Sequence, residues 1–175
     1  APLSATPENP APQILFTNVN VFDGVSESLT KNANVLIDSN MIKEVSTGTI
    51  TAPEATVIDG GGRTLMPGLI DAHVHLNMQL GGYGTDRGIQ GMQNMTWEEI
   101  GALAYEAARE YLPAGVTTVR DLCGMSQGLR KHIDSGTLEG PRIYTSGACL
   151  GQSSGHGDWR WDPSVLRDDG SKSNL

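Results

Sequence analysis

Apolar and polar residues alternate through the first sixty positions. Ile14 and Phe16, Val19 and Val21, Val35 and Ile37, and Ile42 and Val45 stand out against polar neighbours, and Val57-Ile58 follows. A period of two marks a strand with one covered face, so short strands are expected over 14–22, 33–45 and 56–59. Asp23-Gly24 and Asp38-Ser39-Asn40 supply turn chemistry between them. Gly60-Gly61-Gly62 closes this part. No G-x-x-x-x-G-K-[ST] or G-x-G-x-x-G pattern follows it, so it reads as a turn and not as a phosphate cradle. From Leu65 the pattern changes: Pro67 and Gly68 punctuate the entry to an apolar run, expected to be a short buried strand, that carries Asp71, His73 and His75 at alternate positions.

Beyond position 95 the period becomes helical. Thr96 and Glu99 have capping-box spacing, and Ile100, Leu103, Ala104, Ala107, Ala108, Tyr111 and Leu112 recur three and four apart. Pro113 and Gly115 mark the end of that helix. A strand over 115–121, a helix over 125–135 stopped by Gly136, and a third strand over 142–148 after Pro141 complete the order β-α-β-α-β. That order implies a parallel sheet, in a barrel or doubly wound; periodicity does not separate the two. Three segments result: a flexible arm over 1–13 with Pro2, Pro7, Pro10 and Pro12, a small β domain over 14–66, and a β/α part over 67–175.

Charge removes several classes of function. The net charge of −8, with no cluster among the 12 Lys and Arg residues, argues against nucleic-acid and anionic-membrane partners. No apolar run approaches the roughly 20 residues of a membrane span. The chain opens on Ala1-Pro2-Leu3-Ser4, which reads as a mature end left by signal-peptide removal and favours an exported protein, periplasmic or secreted, over a cytoplasmic one. An artificial chain start is the rival explanation.

The candidate chemistry gathers at strand ends. Imidazoles two residues apart on an extended backbone stand about 6.5 Å apart at Cα, so His73 and His75 can converge on one metal ion and leave positions for other ligands and water. Asp71 can orient an imidazole or satisfy backbone donors beneath the site. Arg120 and Asp121 end the second strand of this part and point to opposite faces, so at most one faces inwards, as an ion-pair partner or loop anchor. The stretch 77–94 is long for a connection and reads as a substrate-shaping lid. In the Gly/Ser-rich loop after the third strand, His156 is a functional candidate because such a loop has few structural reasons to hold an imidazole, with Trp159 and Trp161 flanking Arg160 as an aromatic and cationic wall. Packing within that loop is the alternative for all three.

The string Pro67-Gly68-Leu69-Ile70-Asp71-Ala72-His73-Val74-His75-Leu76 resembles the first barrel strand of the amidohydrolase superfamily, and 145–158 (TSGACLGQSSGHGD) is similar to a loop that lines the substrate pocket in its prolidase-like and ochratoxinase-like branch, which implies His156 as a substrate contact. The resemblance implies the N-terminal part of a (β/α)8 barrel, preceded by a small β-sandwich-like domain that strands from the far C-terminus complete. It implies His73 and His75 as ligands of the more buried of two divalent ions, most simply zinc, with Asp71 and Asp121 supporting them. A carboxylated lysine, two further histidines and a catalytic aspartate are also implied. None of Lys31, Lys43, Lys131 and Lys172 suits the lysine position, so the catalytic residues are expected in a C-terminal remainder of the same enzyme. A whole barrel takes about 250 residues. The implied activity is hydrolysis of an amide or peptide bond, in a dipeptide or N-acyl amino acid, by metal-activated water. Opening of a cyclic amide or imidazolone, and a non-catalytic scaffold role, are the alternatives; a homo-oligomer is compatible with either. Cys123 and Cys149 follow neighbouring strands and could bridge. The family's barrels rarely need a bridge, so free thiols are the expectation.

Overall fold

The computed structural model describes residues 12–77, 95–123, 126–147 and 150–152. The chain divides into two compact units, Ala1–Pro67 and Gly68–Leu175.

The first unit is a mixed five-stranded sheet. Strands β1 (Gln13–Val21), β2 (Thr30–Asp38), β3 (Met41–Ser46) and β4 (Thr56–Asp59) lie in the order β3-β2-β1-β4, and β5 (Thr64–Leu65) also pairs with β1. β1, β2 and β3 are antiparallel neighbours, whereas β4 and β5 run parallel to β1. The apolar alternation changes phase between Phe16 and Val19, and the ladder to β2 is irregular at the same place, with Asn18 in the left-handed region at φ 52°. One extra residue there absorbs the phase change. Ser39-Asn40 closes the β2–β3 hairpin, with Asp38 paired to Met41. After β1, Asp23 accepts hydrogen bonds from the Ser26 backbone and hydroxyl and from the Val25 backbone, which hold its carboxyl down at about 2. Leu15, Leu36 and Ile50 form the buried centre of this unit.

The second unit contains a parallel sheet in the order β6-β7-β8, built from β6 (Leu69–Val74), β7 (Val116–Asp121) and β8 (Arg142–Thr145). Helix α1 (Trp97–Arg109) connects β6 to β7, and helix α2 (Gln127–Asp134) connects β7 to β8. The α1 capping box is present in both directions, Glu99 N–H donating to Thr96 Oγ1 and Thr96 N–H to the Glu99 carboxylate. The helix ends at Arg109, earlier than its apolar stripe suggests. Turns carry the chain on to Gly115, whose φ of 82° only glycine adopts readily. Val74, Leu76, Ala104, Ala108, Val119 and Ile143 are the core between sheet and helices.

The expectation of a buried strand at the histidine motif needs correction. Val74 is 2 % exposed, but Ile70 is 71 % exposed and Leu69 50 %. β6 is the edge of its sheet, paired with β7 only among the described residues, so its first half has a free edge and an open face.

A candidate metal centre at the end of β6

Parallel strands present their C-terminal ends to ligands, and the histidine motif lies at that end of β6. The pairing with β7 is irregular there: Asp71 faces Val119, but the next matched pair is Val74 with Asp121, so β6 holds one extra residue. Such a bulge frees backbone groups and re-aims side chains. Two side chains take up groups at this bulge. Asp71 Oδ1 accepts from the His73 backbone N–H at 3.1 Å, and Arg120 Nε donates to the Ala72 carbonyl at 2.8 Å. Of the two roles open to Asp71, this is the backbone one. Arg120 anchors β6 through a carbonyl.

The bulge leaves the imidazoles facing each other, with ring centroids 5.1 Å apart, planes at 82° and Nε2 atoms 3.3 Å apart. His75 Nδ1 lies 2.7 Å from the Leu122 carbonyl oxygen. A carbonyl can only accept, so Nδ1 carries the hydrogen and the neutral ring presents its Nε2 lone pair towards His73. Two nitrogens bound to one tetrahedral ion at about 2.0–2.1 Å stand about 3.3–3.4 Å apart. The observed pair has that bite. The residues present therefore fit two ligands of a divalent metal, with the Leu122 carbonyl fixing one tautomer as outer partners of metal-bound histidines do. Among the described residues, no group of three or more His, Cys, Asp or Glu side chains converges, so further ligands have to come from elsewhere.

Asp121, the inward residue of the Arg120–Asp121 pair, is fully buried. Its Oδ1 accepts from the Leu76 backbone N–H at 3.0 Å, and its Oδ2 from the Ser126 hydroxyl at 2.6 Å. One carboxylate thus ties the residue after His75 to the start of α2. Burial pushes its pKa above the ordinary carboxyl value, against the opposing pull of these two bonds and of His75. The β7 exit is also tied to β8, because Ser146 N–H donates to the Asp121 carbonyl and Cys123 N–H to Ser146 Oγ.

Cys123 is disulfide-bonded, against the expectation of free thiols. The parallel register that sets Asp121 beside Thr145 brings the chain exits of β7 and β8 together. Cys149, the other cysteine, lies outside the described residues, as do His156, Trp159, Trp161 and most of the expected lid.

Sequence reasoning missed the Leu122 carbonyl, since any residue type carries one. It also missed Asn77, which is 6 % exposed with neither side-chain atom hydrogen-bonded among the described residues. A carboxamide two positions past His75 was the available signal.

Residues 64–174 match the model of the amidohydrolase family. The chain is 37 % identical over 101 residues to ochratoxinase of Aspergillus niger, covering 54 % of this chain and 19 % of that protein. It is 31 % identical over 145 residues to a 5-methylthioadenosine/S-adenosylhomocysteine deaminase of Thermococcus kodakarensis, covering 72 % of this chain and 34 % of the relative. Among solved structures, a prolidase complexed with N-methylphosphonate-L-proline superposes with a TM-score of 0.78 at 30 % identity, over 90 % of this chain and 37 % of the other. The chain thus spans roughly an eighth to a third of the curated relatives it matches.

Proposed function

Because the chain belongs to the amidohydrolase family, we propose that it forms the N-terminal part of a metal-dependent hydrolase that cleaves the amide bond of a dipeptide or N-acyl amino acid. The observation that carries this reading is the His73–His75 pair, with Nε2 atoms 3.3 Å apart and one ring held by the Leu122 carbonyl. When bound, divalent ions lower the pKa of water and polarise the carbonyl under attack. The chain's own residues hold and orient. His73 and His75 supply lone pairs, Leu122 fixes a tautomer, and Asp121 ties the residue after His75 to the start of α2. His156, Trp159 and Trp161, which lie outside the described residues, are the candidates for substrate contact in this proposal. The ochratoxinase and prolidase relatives support an amide or peptide substrate. The disulfide at Cys123 supports an exported, oxidising location.

The 31 % identity to a deaminase over 72 % of the chain favours one second reading, hydrolytic deamination of an adenosine derivative. A panel on the full-length protein separates the two. We expect turnover of dipeptides and N-acyl amino acids, with metal content near two zinc ions per chain falling in the His73→Ala and His75→Ala variants. Turnover confined to adenosine derivatives would replace the first reading with the second. Full metal loading in both variants would remove the site assignment itself.

A further inference from the structure

The bulge in β6 takes two residues out of matched register. Asp71 pairs with Val119 and Val74 with Asp121, so Ala72 and His73 together stand opposite Arg120. Between Ala72 and His73 lies a single peptide unit, whose carbonyl belongs to the first and whose N–H belongs to the second. Side chains take both of its polar groups. Arg120 Nε donates to the Ala72 carbonyl oxygen at 2.8 Å, and Asp71 Oδ1 accepts from the His73 N–H at 3.1 Å. A cationic donor thus holds one end of the peptide and a carboxylate the other, each with the sign that the peptide dipole favours.

The consequence reaches the metal ligands. The rotation of a peptide unit governs where the next residue directs its side chain, and here that residue is His73. The His75 ring has its own fixture in the Leu122 carbonyl, and the Ala72–His73 peptide is the fixture on the other side of the pair. With both in place the two Nε2 atoms stand 3.3 Å apart, the bite of one tetrahedral ion. If the peptide is released, β6 can return to regular pairing with β7, and a one-residue change of register turns side chains to the opposite face. Metal then binds only the fraction of molecules that keep the bulge, and its apparent affinity falls with that fraction.

We propose that Arg120 is a positioning residue of the metal centre, acting with Asp71 through the Ala72–His73 peptide to set the bite of His73 and His75. This rests on the metal-dependent reading above and adds a residue to it. A guanidinium near a divalent cation repels it, so an arginine without this role would weaken metal binding and its removal would tighten it. The clamp gives the opposite sign.

Two neutral replacements separate hydrogen bond from charge in the full-length protein. Glutamine carries Nε2 as many bonds from the backbone as arginine carries Nε, so Arg120→Gln keeps the donor and loses the charge. Arg120→Met loses both at similar length. Zinc dissociation constants, read without substrate by competition with a chromophoric chelator, are expected to rise roughly 10- to 100-fold in Arg120→Met and to stay close to wild type in Arg120→Gln. At the other end of the peptide, Asp71→Asn keeps an acceptor oxygen and Asp71→Leu does not, so the leucine variant should lose affinity relative to the asparagine variant. Equal or tighter zinc binding in Arg120→Met, or equal losses in the methionine and glutamine variants, would overturn the proposal. A lower Tm of metal-free Arg120→Met with an unchanged zinc constant would also overturn it, leaving Arg120 a structural anchor of β6. Should Arg120→Met fail to fold, the two Asp71 variants decide by the same constants. Wild-type protein that holds zinc but cleaves no amide refutes the hydrolase reading and leaves the clamp standing, whereas wild-type protein that holds no zinc overturns both.

Discussion

Asp71 is half-buried and Asp121 fully buried, and their consequences differ accordingly. Asp121 serves two donors, Leu76 N–H and the Ser126 hydroxyl, from a position with no solvent exposure. Asp121→Ala strands both, at about 1–3 kcal/mol each, so chemical denaturation should show a loss of roughly 2–5 kcal/mol. Asp121→Asn keeps an acceptor for Leu76 and can donate to Ser126 Oγ, and is expected to lose about 1.5 kcal/mol or less. Near-wild-type stability of the alanine variant would mean that this carboxylate ties nothing together. The two proteins should also differ in pH dependence. Burial raises the Asp121 pKa in the folded state. A raised acid is favoured when protonated, so its contribution is full below the unfolded value near 3.9 and is lost as pH rises through the folded value. Wild-type stability measured against Asp121→Asn should therefore decline across that window. A flat difference would show that Asp121 titrates alike in both states.

At the scale of elements, the entry to β6 depends on a close approach that its composition hides. A Cβ placed on Gly68 would meet the Thr117 side chain, including the Thr117 Cβ at 2.7 Å, which no rotamer change moves away. Gly68 lets β6 begin beside β7, where Leu69 N–H donates to the Gly115 carbonyl. Gly68→Ala should destabilise the second unit by about 1–3 kcal/mol, and Thr117→Gly in the same protein should recover most of the clash term. Melting curves of the single and double variants decide this, and additive losses would place the fault elsewhere than at Thr117. The same strand shows what was legible. The histidine spacing was readable because two side chains carry it, and the α1 capping box because Thr96 and Glu99 declare it. The bulge between Asp71 and Val74 was not readable, since it depends on register against β7, and strict alternation would have set Asp71, His73 and His75 on one face. The Leu122 carbonyl was hidden for a related reason: backbone groups are placed by topology and leave no mark in composition.

At the scale of the whole chain, both units keep apolar surface uncovered. In the first, Met41, Ile42 and Val57 are 60–67 % exposed, and an open groove of about 290 Å³ is lined by Val21, Phe22, Val35, Ile37, Ile42 and Val45 among others. In the second, Leu69, Ile70 and Tyr144 lie half or more exposed on the parallel sheet. Patches of this kind mark surfaces that meet another element or partner. The sequence could not show this, because alternation identifies an apolar face without saying what covers it. A polypeptide of these 175 residues alone should therefore bind a hydrophobic dye such as ANS and self-associate at roughly 10–100 μM, and Ile70→Lys should reduce both effects. In a longer protein with a closed barrel, the same lysine would be buried without a partner charge, and the variant should lose several kcal/mol. The opposite signs make the comparison decisive. A monomeric, dye-silent 175-residue chain would show that its own remaining residues cover these faces, whereas a neutral Ile70→Lys in the longer protein would show that the β6 face stays open to solvent there as well.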